Sequence, residues 1–69
     1  MKGVAFSIEE ENVIAIYRGK TRAVTITSMR NISKYVQDKQ MQSVINRAAD
    51  KLSRISDDEF NRMDFVFTE

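Results

Sequence analysis

Gly19-Lys20-Thr21 has the form of the end of a phosphate-binding loop, in which glycine amides and a lysine ammonium cradle nucleotide phosphates. The glycine that such a loop requires five positions upstream is Ile14. The flanking residues also read as strand-turn-strand, where a phosphate loop needs strand-turn-helix, so no nucleotide site is expected. Glu9-Glu10-Glu11 and Asp57-Asp58-Glu59 offer oxygen ligands for a hard cation, but the alternating acids and central glycine of a calcium loop are missing. The first cluster reads more simply as a hydrophilic turn. The second suits a helix N-terminus, where carboxylates complement the macrodipole.

Two absences narrow the chemistry further. Without Cys there are no disulfides, thiolate ligands or thiol nucleophiles, and without His the commonest general base and zinc ligand is gone. Serines, lysines and carboxylates are present, but no motif sets a nucleophile against a base. A chain of 69 residues also leaves little room for a substrate pocket. The expectation is a protein that is not an enzyme and needs neither cofactor nor metal.

Basic residues are the remaining candidates. Net charge is only +1, yet residues 18–54 hold nine basic side chains against Asp38 and Asp50, while the two ends are acidic. Arg18, Lys20, Arg22, Arg30, Lys34, Arg47, Lys51 and Arg54 could together track a phosphate backbone, with Tyr17 and Tyr35 for stacking. No RNA-binding, zinc-finger, helix-turn-helix or basic-zipper signature accompanies them.

Placing these residues requires the elements. Met41, Val44, Ile45, Ala48, Ala49, Leu52 and Ile55 recur at helical spacing, which predicts an amphipathic helix over residues 38–55 with Asp38 as its N-cap. Val4, Phe6 and Ile8 alternate with Ala5 and Ser7, predicting a first strand. The acidic run to Asn12 reads as a hairpin loop, residues 12–17 as a second strand, Arg18-Gly19-Lys20 as a turn, and residues 21–27, rich in β-branched side chains, as a third strand. A short helix over 29–36, capped by Ser28, should break near Gln37. Ser56-Asp57-Asp58-Glu59 has the capping-box form and opens a helical turn with Phe60 as its apolar foot. Residues 64–69 alternate as a fourth strand.

The fold expected is therefore α+β, one small domain over residues 1–69: an antiparallel β-β-β-α-α-β arrangement with one long helix on one face. Val4, Phe6, Ile8, Ile14, Ile16, Val24 and Ile26 would face that helix. Val13, Ala15, Tyr17, Ala23 and Thr25 would form the opposite face, which nothing in the chain covers, and they are the candidate protein-binding residues. An uncovered face, free strand edges and a small core favour self-association or capture of a partner.

No apolar run is long enough for a signal peptide or membrane span, so a cytoplasmic location without membrane attachment is expected. The function expected is that of a small regulatory or inhibitory binding protein acting through protein contacts, self-association included, of the kind encoded by phages or mobile elements. Nucleic-acid binding through the basic residues of 18–54 is the alternative.

Overall fold

The computed structural model describes residues 4–63, and among these described residues the chain forms four helices and no strand. They are α1 (Ile8–Tyr17), α2 (Arg22–Ser33), α3 (Lys39–Leu52) and α4 (Asp57–Arg62). The expected α+β sheet is thus overturned: its second strand lies within α1, and nearly all of its third within α2. The proposed fourth strand, residues 64–69, lies outside the described residues.

Local signals explain the difference. Ser7 accepts a hydrogen bond at Oγ from the Glu10 amide (3.1 Å), and Glu10 Oε1 accepts one from the Ser7 amide (2.9 Å), a complete capping box. Three glutamates in the first turn complement the dipole. What reads as a hairpin tip is therefore a helix start. In α2 the β-branched residues cost helix propensity, about 0.5 kcal/mol each, but Thr21 caps the helix by accepting from the Val24 amide. The Thr25 hydroxyl donates to the Thr21 carbonyl (2.8 Å) and accepts from the Gly19 amide (2.9 Å), so its polarity is satisfied inside the fold. The helix expected over 29–36 with a Ser28 cap consequently begins seven residues earlier, at Arg22.

The long helix occupies the stretch expected of it. Asp38 caps α3, accepting from the amides of Gln40 and Met41. Ser56 caps α4 through the second capping box. Val44, Ile45, Ala48, Ala49, Leu52 and Ile55 are buried, although Ile55 follows the last turn, and Met41 remains 45% exposed.

Helices rather than a sheet cover this stripe. The Gln42 side chain donates to the Ser33 carbonyl (2.8 Å) at one end of the α2–α3 pair, and Arg22 Nη1 to the Leu52 carbonyl (3.0 Å) at the other. These contacts set the two helices antiparallel. Ala48 and Ala49, fully buried, leave room for α1 and α2 to approach α3 closely. Val13 and Ile14 from α1, Met29 from α2 and Phe60 from α4 complete the core. Each such large side chain contributes about 1.5–3 kcal/mol by burial. Val4, Phe6 and Met63 line one shallow depression over Ile55, bringing the two ends of the described chain together.

Candidate functional site

The side chains fall into two groups, those that hold the helices together and those that do not. Arg18 follows α1, and its guanidinium lies 4.5 Å from the centroid of the Phe60 ring. It also donates to the Met63 (3.0 Å) and Phe60 (3.2 Å) carbonyls, satisfying the C-terminal end of α4. Arg22 adds to its Leu52 contact a bond from Nε to Asp57 Oδ1 (2.8 Å), tying α2 to the α3–α4 junction.

Lys51 donates to Glu10 Oε1 (2.7 Å) and to the Ala5 carbonyl (2.9 Å). Glu10 is 1% exposed. Burial pushes its carboxyl pKa up; the Lys51 hydrogen bond, the Ser7 amide and the Lys51 charge together outweigh that, leaving the carboxyl below its ordinary range. This pair fastens α1 to α3.

The basic set expected to grip phosphate is therefore divided. Arg18, Arg22 and Lys51 act as internal ties, and Arg54 pairs with Asp50 one turn away (2.9 Å). Lys20, Arg30, Lys34 and Arg47 are exposed, with no acidic partner among the described residues. Arg30 and Lys34 share α2 and its C-cap, Lys20 precedes α2 and Arg47 is on α3. Tyr17 and Tyr35, separated by a whole helix in sequence, line one depression of about 350 Å³ with Asn31 and Ile32.

The candidate protein-binding face was derived from a sheet, and the helices disperse it. Val13 (5% exposed) and Thr25 (0%) are core residues, Ala15 and Tyr17 are half-buried, and only Ala23 is exposed. The side expected to point inward is divided as well. Ile14 is buried and Val4, Phe6 and Ile26 are half-buried, but Ile8 (76%), Ile16 (61%) and Val24 (50%) face outward. Helical phase explains it, since 100° per residue separates side chains that strand parity groups.

Sequence reasoning missed the surface that one of these outward residues, Ile16, helps to make. Between α1 and the N-terminal half of α3 runs a groove of about 400 Å³, floored by Val13 and Val44, walled by Ile16 and Met41, and rimmed by Glu9 and Asp38. Ser7-Ile8-Glu9-Glu10 carries the same Ser-x-x-Glu form as residues 56–59. Reading it as a helix start would have put Glu9, Asn12, Val13 and Ile16 on one side of a helix and revealed the groove wall.

Among the described residues no cluster of three or more acidic, His or Cys side chains is placed to hold a metal. No described helix is long and apolar enough to cross a membrane. The model of the family TTRAP, described as "Putative transposon-transfer assisting protein", matches residues 6–67. The chain belongs to that family. It is thus a small protein associated with a mobile element, one of the two origins that its size and composition suggest, and it is helical where an α+β fold is expected. No curated protein matches it, and no solved structure does.

Proposed function

We propose that the chain serves transposon transfer as a small non-enzymatic regulatory or inhibitory binding protein, acting through protein contacts in the cytoplasm. The observation that carries this reading is the apolar surface that Ile16 and Met41, both exposed, leave on the walls of the α1–α3 groove over Val13 and Val44. Exposed apolar side chains gathered on one patch mark contact sites more often than scattered ones do. The division of the basic residues supports it, because half of the eight are engaged within the fold. Family membership supports transposon transfer as the setting, and the partner we propose is a protein of the transfer apparatus. The grounds for self-association that rested on a bare sheet face and free strand edges do not apply to a helical fold. A second copy is the competing partner.

A pairwise two-hybrid screen of the full chain against each protein encoded with it on the element, and against itself, tests the proposal. One reproducible hetero-pair is the expected result, with a monomer by light scattering at micromolar concentration. No protein pair at all would sink it.

One observation favours a second reading. Tyr17 and Tyr35 share a depression beside a helix whose Arg30 and Lys34 lack acidic partners among the described residues, an arrangement suited to stacking a single-stranded base near phosphates. Titration with single-stranded DNA at low and then rising salt distinguishes the two. Binding that weakens steeply with salt and requires Tyr35 would establish this reading, and no binding at low salt removes it.

A further inference from the structure

We infer that the α1–α3 groove is the seat of a basic amphipathic helix from a partner protein. The inference deepens the protein-contact reading above and rests on it. α1 has apolar residues on two sides. Val13 and Ile14 enter the core, while Ile8 and Ile16 project outward at 76% and 61% exposure. A surface helix needs one apolar stripe, so the second is surplus to this fold. Of Ile8 and Ile16 only Ile16 lines the groove, and with Glu9, seven residues earlier on the same side of α1, it marks a wall about 10 Å or two turns long, a length that suits the apolar stripe of a docked helix. Met41 on the facing wall adapts its shape to whatever packs there.

Charge chooses among occupants. The groove is lined by Glu9 and Asp38 and by no basic residue. Glu9 and Glu11 have no basic partner among the described residues, since Lys51 is taken by Glu10. A second copy docked by two-fold symmetry would bring this acidic rim against itself. A helix with Leu or Ile at helical spacing and Lys or Arg on its flanks meets both the walls and the rim.

Two synthetic peptides of about four turns, each with one leucine stripe, flanked by lysines in one and by glutamates in the other, serve as probes for the isotope-labelled full chain. The lysine peptide should shift the amides of residues 8–16 and 38–44, and the glutamate peptide should not. Ile16→Ser should weaken binding about tenfold, a loss of the size expected for one buried aliphatic anchor. Glu9→Gln and Asp38→Asn, the latter retaining the helix cap, should each weaken it about threefold. Equal binding of both peptides, shifts centred on α2, or a dimer that Ile16→Ser dissociates would overturn the inference. Repeating the two-hybrid screen with Ile16→Ser separates the two levels. A partner kept at full strength defeats the groove and leaves the protein-contact reading standing; a wild-type chain with no protein partner defeats that reading first.

Discussion

α1 and α3 both contribute to the core, yet α3 is the more fully accounted for by it, with Met41 in its first turn its one large apolar side chain left exposed. Along α3 the apolar residues run in one band, Val44 to Leu52 buried, while Gln40, Ser43, Asn46, Arg47 and Asp50 face water. α1 divides its apolar side chains between the interior and the surface, and among them sits Glu10, a charge sealed inside and held by Lys51. The difference teaches that helix stability and surface function can be carried by separate elements. α3 is shaped by folding except at Met41, whereas α1 keeps two large apolar residues that folding does not use.

Substitutions along the two helices should break or sharpen that contrast. Leu52→Ala on α3 removes a fully buried side chain beside the start of α2, whose Arg22 bonds the Leu52 carbonyl, and should cost about 2–5 kcal/mol in urea unfolding. Lys51→Met should cost about 2 kcal/mol, less than a fully buried pair because the lysine is a quarter exposed. Its signature is pH dependence. Glu10 is held below its ordinary value of 4.5, so its contribution is complete above that value and is lost as pH falls through the lower folded-state value. Urea midpoints taken from neutral pH down to about pH 3 should fall in the wild type. In Lys51→Met that fall should shrink, because burial no longer meets an opposing ammonium.

Gly19→Ala should come next, at about 1 kcal/mol. A Cβ there would lie 2.5 Å from Val24 Cγ1 and 3.3 Å from its Cβ. Val24 is half exposed and can turn away only in part, so the double variant with Val24→Ala should recover most of the loss in thermal melts. Smallest of all, Ile16→Ser should change stability by less than about 0.5 kcal/mol, since the side chain faces outward and Ser and Ile have similar helix propensity. A large loss there would erase the distinction between the helices.

The same contrast governs how much of the molecule could be read from its residues. α3 was legible because its stripe repeats over four turns with Asp38 at the head, and α4 because Ser56 and Glu59 stand at capping distance. α1 was not, since short apolar runs fit a strand and a helix equally well when side chains on both faces are apolar. In α2 the β-branched run pointed to a strand, and the Thr25 bonds that reconcile it with a helix depend on Gly19, outside the helix itself. The groove was illegible for the same reason: its wall is defined by the phase of α1. Of the basic residues, sequence gave the positions but not the partners, which join Arg18, Arg22 and Lys51 to residues 30 to 46 places away.

The shared depression beneath Val4, Phe6 and Met63 has a topological consequence. Where the described chain enters and leaves the fold at one place, the order in which its helices are threaded is separable from how they pack. A short linker could join the ends and new termini could be opened between α2 and α3, giving a circular permutant with the same four-helix interior.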